Sequence, residues 1–433
     1  MEIACSNKPS SNKVSNHRGI SEMIFQIPEM DSFVDPKTIR ICGSIQCYKD
    51  DAHGDLTGSK MSMDARLGVY SCFNMVTTRS LRHQTTIEQS RNFNRFMSSF
   101  LPLSSSLGDL QSHLNNTALC TPSVNQTETS LTQFAAETHF ALPLPTGLLN
   151  GGNIPLSSQW GIGGLEISIF LENDSQVFFA TDGTADEPGA WYEITNPHLV
   201  CEVMTPAPDI LSQLVKRASG QLTFQSVSSY YDTISSTNAQ INFNLGLSKV
   251  RSAFVTFIDS TQLNNINHNG LATLMPTRDN AEGSIANVTE YQFLKAGTQF
   301  PKLFPETLNV RDVPKTSVCD PATIRDYIDA VVPYNKNTMA SITQANSNRN
   351  WQLTPGANSL IEKSPFLLAD GGLCWGIGAT YDNLGGQGTA FNSENWGLNM
   401  VMDGSDGNVT SCFIFVNSEQ TLVFNPNGVQ VIK

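Results

Sequence analysis

The sequence predicts an all-β protein of two tandem β-sandwiches joined by a short helix, with helical and loop insertions. Charged residues make up only 15% of the 433-residue chain, and neutral polar residues that suit strand surfaces and turns take their place. The segment IFLENDSQVFFATDG at 169–183 returns as IFVNSEQTLVFNPNG at 414–428. A chain of this length exceeds one ordinary core, so two or three domains are expected.

The N-terminal part begins with a polar, slightly basic stretch. We interpret residues 1–19 as a flexible arm, because they carry no apolar pattern. Ile39, Ile41 and Ile45 then alternate with polar residues, which predicts a half-buried strand. The stretch LGVYSCFNMV at 67–76 predicts another strand.

A helix is predicted next, with Thr85 and Glu88 as its capping box and an apolar spacing that continues to Phe100. Residues 101–135 are rich in Ser, Thr and Asn and are interpreted as a long loop. The alternation over 165–171, a turn, and a second apolar run over 176–180 predict an antiparallel strand pair.

The clearest helix is TPAPDILSQLVKRASGQ at 205–221, near the middle of the chain. Pro208 suits the first turn, Lys216 and Arg217 suit the last, and Gly220 is the predicted end. Its apolar face consists of Ile210, Leu211, Leu214 and Val215. This position favours a link between two domains.

The second half repeats the order of elements. Alternation over 241–247 and RSAFVTFID at 251–259 predict strands, and DPATIRDYIDAVV at 320–332 predicts a helix. Tandem duplication of one jelly-roll sandwich explains this order, although two unrelated hairpins could also share alternating Ile, Phe and Val. The predicted domains are an arm at 1–19, a first jelly roll at 20–206, a linker helix at 207–220 and a second jelly roll at 221–433.

Charge and cysteine content restrict the function. The net charge of −13 without a basic stripe argues against sequence-specific nucleic-acid binding. The nine cysteines are irregularly spaced, and no apolar signal region precedes them, so we interpret them as reduced core residues of a protein made in the cytoplasm. Cys42 and Cys47 would lie on opposite faces of a strand and could not share a metal. No apolar run is long enough to span a bilayer.

A search for chemistry gives no catalytic, cofactor-binding or metal-binding residue. The phosphate-loop, zinc-protease and nucleophile-elbow motifs are missing from the sequence. His139 could act as a base, but a structural histidine at a strand edge explains it better. The acidic loops at 48–55, 181–189 and 403–408 are interpreted as turns, and the last of them lacks the glutamate that completes a calcium loop.

Two alternatives to a structural role stay open. One is a glycan-binding β-sandwich of the lectin or fibre type, for which the five tryptophans could line a groove, although core packing or subunit contacts explain them better. The other is a glycoside hydrolase, for which Glu137, Glu166 and Glu172 are the candidate carboxylates; the last two are expected to face solvent.

Three segments carry a family resemblance. HFALPLPTGLLNGGNIPLS at 139–157, GLEISIFLEN at 164–173 and FIFVNSEQTLVFNPNGVQVI at 413–432, with the central helix between them, resemble double jelly-roll major capsid proteins. The chain looks most like those of polinton-like viruses and virophages, in the lineage that includes adenovirus hexon. The resemblance covers most of residues 20–433 through pattern and segment order, and the chain is short for that group.

The resemblance implies a structural protein of the virion. Three copies would form a pseudo-hexameric capsomer, and neighbouring capsomers would tile an icosahedral shell around double-stranded DNA. Penton and minor capsid proteins would be further partners, and in some members of the group an internal membrane lies beneath the shell. The N-terminal arm would lie on the inner side.

Overall fold

The structure is a computed structural model. It describes residues 1–6, 21–50, 52–54, 56, 59, 61–64, 67–104, 117, 137–180, 185, 187–267, 269–271, 288–300, 311–312, 321–332, 376–381, 388–402 and 409–433. The strands of the first half are β1 Glu2–Ala4, β2 Glu22–Ile27, β3 Phe33–Tyr48, β4 Met61–Met63, β5 Phe73–Ser80, β6 Thr86–Ser90, β7 Thr138–Pro143, β8 Ile154–Pro155, β9 Leu165–Leu171, β10 Phe178–Ala180 and β11 Trp191–Met204.

The strands of the second half are β12 Gly220–Ile234, β13 Asn238–Asn244, β14 Val250–Asp259, β15 Val288–Lys295, β16 Thr298–Gln299, β17 Arg311–Asp312, β18 Gly376–Thr380, β19 Asn395–Met402, β20 Thr410–Asn425 and β21 Gly428–Ile432. The α-helices are α1 Phe93–Ser104, α2 Asp174–Val177, α3 Pro208–Arg217 and α4 Pro321–Val331. Short 3-10 helices lie at Gly68–Cys72, Leu148–Asn150 and Ser260–Gln262.

Within the described residues, these strands form four larger antiparallel sheets and the small pair β10-β4. Sheet 1 has the order β1-β11-β3-β7, with β8 also on β3, and sheet 2 has the order β2-β9-β5-β6. Sheet 3 has the order β12-β20-β14-β18, with β21 also on β20, and sheet 4 has the order β13-β19-β15-β16, with β17 also on β15. The first sandwich contains sheets 1 and 2, and the second contains sheets 3 and 4.

The two sandwiches share one topology. When the eight main strands of each half are ranked in chain order, sheets 1 and 3 both read 1-8-3-6, and sheets 2 and 4 both read 2-7-4-5. A helix lies between the fifth and sixth main strands of each half: α1 in the first and α4 in the second. Two four-stranded sheets built from one eight-strand path make a jelly roll. The predicted fold of two tandem jelly rolls is therefore confirmed.

The sequence match that first suggested the repeat does not pair equivalent strands. Ile169 and Phe170 lie in β9, the seventh main strand, whereas Ile414 and Phe415 lie in β20, the eighth. The predicted hairpin within 165–180 is also wrong, because β9 pairs with β2 and β5 while β10 pairs with β4. Strands buried on both faces use the same few apolar residues, so a local match does not fix a strand's rank in the fold.

Three local predictions in the first half need correction. Glu2–Ala4 pair with β11, so the predicted flexible arm is wrong for these residues; residues 7–20 lie outside the described part. Gly68–Cys72 form a 3-10 helix before β5, where the sequence predicted continuous strand. The predicted helix near Thr85 begins only at Phe93, because Thr86–Ser90 pair with β5 as an edge strand.

The central helix lies between β11 and β12, as expected. Ala207 precedes its first turn, and Ala218, with a φ of 52°, ends it in place of the predicted Gly220, which instead begins β12. None of its residues is buried: Ile210 is 51% exposed and Val215 is 42% exposed. The predicted apolar face is therefore only partly covered within the described chain, with Leu211 and Leu214 half-buried.

The core divides into two clusters. One fills the space between sheets 3 and 4 and contains Val255, Ile414 and Trp396. The other fills the first sandwich and continues onto the outer face of sheet 3, where it includes Phe254 and Phe415. Sheet 3 is thus buried on both faces, which joins the two sandwiches into one packed body.

Candidate functional site: the contact between the two sandwiches

A buried carboxylate anchors the first sandwich at this contact. Glu88 on β6 is 3% exposed, and its two carboxylate oxygens accept hydrogen bonds from the backbone N–H groups of Gly147 at 3.0 Å and Leu148 at 2.9 Å. Burial raises the pKa of Glu88, and hydrogen bonds from these two backbone groups and from Ser226 oppose the rise. Because Ser226 lies on β12, the carboxylate is bonded from both sandwiches.

The backbones of the two sandwiches meet at a glycine. A Cβ placed on Gly147 would lie 1.2 Å from the backbone oxygen of Gln225 on β12. Gly147 has φ −60° and ψ −48°, an ordinary right-handed helical conformation, so glycine is not required there for its backbone freedom. It is required because any side chain would separate the 144–151 loop from β12.

A buried arginine crosses the same contact. Arg95 on α1 is 4% exposed and donates hydrogen bonds to the Gly270 carbonyl at 2.5 Å and to Gln176 Oε1 at 2.6 Å. Its guanidinium lies 4.1 Å from the centre of the Phe413 ring on β20. Burial lowers the pKa of Arg95 to about 10, while Glu172 and Tyr231 act to raise it. The group still carries its charge at neutral pH, so these contacts are charge-assisted.

Aromatic side chains fill the space around these polar groups. Phe96 on α1 lies with its ring centre 6.3 Å from Phe254 and 6.0 Å from Phe415, and these two rings stack at 5.0 Å. Phe254 also meets the edge of Tyr327 on α4 at 5.8 Å. Helices α1 and α4 therefore both pack on the outer face of sheet 3.

Backbone and amide hydrogen bonds extend the contact beyond the helices. Asn92 Nδ2 donates to Ser229 Oγ at 2.8 Å. The backbone N–H of Ala180 donates to the Ile266 carbonyl at 2.8 Å, and Asn269 Nδ2 donates to Asp64 Oδ2 at 3.1 Å. The connection after β14 thus reaches the small β10-β4 sheet of the first sandwich.

A partly open cavity of about 440 Å³ lies along this contact, between the 145–151 loop, α1 and the start of β12. Its described lining includes Phe96, Phe224, Val331 and Asn417, and none of its described lining residues is charged. Such a lining offers packing and hydrogen bonding but no acid or base.

The predicted carboxylates do not assemble into a catalytic pair. Glu166 is 4% exposed and pairs with Arg79, so the expectation that it faces solvent is wrong. It lies about 20 Å from Glu172 along an extended chain, whereas paired carboxylates of glycosidases lie about 5–10 Å apart. Glu137 is exposed and accepts a hydrogen bond from Thr195 Oγ1 at 3.1 Å.

The other candidate residues have structural surroundings. His139 Nδ1 lies 2.8 Å from Ser44 Oγ on the neighbouring strand, which fits a structural histidine at a strand edge. Trp160, Trp191 and Trp396 are buried, as core packing predicts, while Trp351 and Trp375 lie outside the described residues. In the loop at 48–55, Asp50 Oδ1 accepts the backbone N–H groups of Ala52 and Gly54, which makes a turn.

Metal and membrane features can be assessed only for the described chain. There, no group of three or more His, Cys, Asp or Glu side chains could hold a metal ion. The loop 403–408 and residues 181–184 lie outside it. Within the same residues, no helix is long and apolar enough to cross a bilayer.

The cysteines of the described chain follow the expectation. Cys5, Cys47, Cys72, Cys201 and Cys412 are buried free thiols, and Cys42 is a half-buried free thiol. Cys47 points into the core while Cys42 lies on the outer face of β3, so the two face opposite ways as predicted.

Sequence reasoning missed Glu88, Arg95 and Gly147 as contact residues. Their partners lie on remote segments, and the capping-box pattern gave Glu88 a plausible local role. A usable signal was Arg95, the one charged residue in the helix sequence FNRFMSSFLPLS, since a buried charge is retained only with partners.

Comparisons with known proteins agree with this fold. No family model matches the chain, and no curated protein matches it. A chain of the PBCV-1 virus capsid aligns over 100% of this chain and 96% of its own, with a TM-score of 0.56 at 10% identity. The Faustovirus major capsid protein aligns over 98% and 90%, with a TM-score of 0.52 at 9% identity.

A chain from the Sputnik virophage structure aligns over 99% of this chain and 91% of its own, with a TM-score of 0.50 at 12% identity. These alignments span both sandwiches and the helix between them. At such low identity they establish the fold. The chain therefore has the double jelly-roll fold found in major capsid proteins of DNA viruses and virophages.

Proposed function

We propose that this protein is the major capsid protein of a virus, a structural component of the virion rather than an enzyme. One observation carries the proposal: two jelly rolls of identical strand order are packed into one body, and this arrangement matches viral capsid chains over its whole length. A shell subunit needs a rigid body with large lateral faces and no reaction centre. The packed contact around Arg95 and Phe415 supplies that rigidity.

The finer proposal concerns assembly. Three copies would present six similar jelly rolls around a threefold axis, and such pseudo-hexameric capsomers would tile an icosahedral shell around double-stranded DNA. Many modest lateral contacts would sum to a stable shell. The acidic chain would leave DNA condensation to other components, and penton and minor capsid proteins would complete the shell.

Solution mass and particle shape test the proposal. Light scattering after size exclusion should give three times the 47.2 kDa chain mass, and negative-stain images should show triangular or hexagonal particles. A monomer at every concentration that binds glycans on an array would overturn the capsid function in favour of the lectin alternative. Loss of a measured glycan hydrolysis on replacing Glu137 or Glu172 would favour the enzyme.

A further inference from the structure

The cavity at the contact between the two sandwiches is large enough to hold a small molecule. Its volume of about 440 Å³ is within the range of roughly 300–1,000 Å³ that is typical of ligand pockets. It is about three times the size of the ~150 Å³ cavity that holds one benzene ring. Protein interiors leave few unfilled spaces of this size, because an empty space forfeits packing contacts. The partly open cavity is therefore suited to a ligand that enters from solvent.

The lining of the cavity consists of a buried apolar part, the floor, and a more exposed polar part, the rim. The floor residues are at most 7% exposed: Phe96, Phe224, Val331 and Val332. The rim residues are exposed or half-exposed and carry hydroxyl or amide groups: Ser104, Asn150, Thr223 and Gln225. An apolar floor with a neutral polar rim fits a molecule that has an apolar body and a hydrogen-bonding end.

The charges around the cavity restrict the ligand further. None of the described lining residues is charged. Glu88 and Arg95, which are buried charges of the same contact, already have hydrogen-bond partners within the chain. An ionised ligand would lose its hydration here without gaining a charged partner, which is unfavourable. A neutral ligand is therefore favoured over an anion or a cation.

We propose that this cavity is a binding site for a neutral amphiphile, such as a fatty alcohol with a chain of about ten carbons. The chain of the ligand would contact the rings of Phe96 and Phe224, and its hydroxyl group would bond to hydroxyl and amide groups of the rim. Because the floor combines residues of α1, β12 and α4, a bound molecule would touch both sandwiches and hold them together. This inference goes beyond the proposed capsid function and does not depend on it.

Titration calorimetry on the purified full-length chain tests the site, with n-decanol as the probe below its solubility limit. The expected result is saturable binding of one molecule per chain. The heat of binding should become more negative as the temperature rises, because apolar surface is buried. The anion decanoate and the cation decylammonium have similar chains, and each should bind at least about tenfold more weakly than decanol, because its charge finds no partner.

Two cavity-filling variants and one control locate the binding. Ser104→Trp and Val227→Phe each add bulk to the lining, and each should weaken decanol binding at least about tenfold. Val401→Phe is the matched control for Val227→Phe. Val401 is 36% exposed on the outer face of sheet 4, since its neighbour Met400 points into the core between sheets 3 and 4. The control should bind decanol as wild type does.

Hydrogen exchange of the wild-type chain gives a measurement that needs no variant. Saturating decanol should slow exchange at least about threefold in peptides that cover residues 145–151 and 223–227, because these residues line the cavity. Exchange in β13, which lies in sheet 4, should stay unchanged. Circular dichroism and the Tm of each variant report whether it has folded. If both filling variants misfold, the exchange pattern decides the question.

The outcomes separate a ligand site from an unused gap in the packing. Saturable binding that is weakened in both filling variants and kept in Val401→Phe supports the site. The absence of saturable binding, undiminished binding in a folded filling variant, or exchange that is not slowed around the cavity overturns it. Equal binding of either charged analogue overturns the assignment to a neutral ligand. Loss of binding in Val401→Phe alone would place the ligand on sheet 4 and also rejects the cavity.

Discussion

The close approach at Gly147 gives a sharp test of how the two sandwiches pack. Gly147→Ala adds one methyl group, which would lie 1.2 Å from the Gln225 carbonyl oxygen and 2.3 Å from its carbon. A normal contact needs about 3.4 Å, so the 144–151 loop and β12 must separate by about 2 Å. In a helical backbone conformation, alanine alone would stabilise the fold by about 0.4–1 kcal/mol relative to glycine.

The expected net effect is destabilisation. Overpacking costs about 1–3 kcal/mol. Full loss of a hydrogen bond to the Glu88 carboxylate would cost about 1.5–3 kcal/mol for each of the two bonds, and partial weakening would cost less. We expect a net loss of about 3 kcal/mol, which for a packed body of 433 residues corresponds to a fall in Tm of about 3 °C. Differential scanning calorimetry at one protein concentration measures this, because association shifts the Tm.

A neighbouring glycine supplies the control. A Cβ on Gly152 would lie 3.5 Å from Leu222 Cδ1, an ordinary contact, so Gly152→Ala should change the Tm by less than about 1 °C. If Gly147→Ala unfolds at the wild-type temperature, the two backbones do not meet at this position, and the packing described above is wrong.

Further predictions concern the same contact and the surface. Phe415→Ala should lower the free energy of unfolding by about 3–5 kcal/mol in urea titrations, because the ring is fully buried between α1 and Phe254; a loss below about 1 kcal/mol would contradict this. Ile210→Ala should change it by less than about 0.5 kcal/mol, because this helix residue is 51% exposed; a larger loss would show that the helix packs on something in the isolated protein. The pKa of Glu88 is raised in the folded protein, so folding disfavours its ionised form. The stability of wild type relative to Glu88→Gln should therefore increase as the pH falls from 7 through the folded pKa towards 4.5. Glu419 has a lowered folded pKa through Lys249 and Arg251, so the advantage of wild type over Glu419→Gln should be present above pH 4.5 and lost below it; parallel stability curves for wild type and either variant would refute the corresponding pKa direction.

Local patterns were sufficient for elements whose form depends on nearby residues. The strand β14, the helix α4 and the start of α3 at Pro208 lie where alternation, helical spacing and proline placed them. The exposure of α3 could not be predicted, because an apolar face indicates a helix but does not name what covers it.

The contact between the sandwiches depended on remote partners and was not predicted. Glu88 fits a capping box with Thr85 in sequence, yet its carboxylate binds backbone groups about sixty residues later. Phe413 and Phe415 point away from Ile414, and only the structure shows that the face they occupy is covered by the other half of the chain. The tandem repeat itself was predictable from element order, although the matching segments lie on strands of different rank.

The covering of sheet 3 by the first sandwich has a consequence for synthesis on the ribosome. The nascent N-terminal half contains all the strands of its own jelly roll before β12 emerges, so it can close first. The second half then folds against an already folded first sandwich, which covers the phenylalanine-rich outer face of sheet 3 as that half leaves the ribosome. In a circular permutant whose C-terminal half is synthesised first, the outer face of sheet 3 would be exposed to other nascent chains. We expect such a permutant to aggregate during translation.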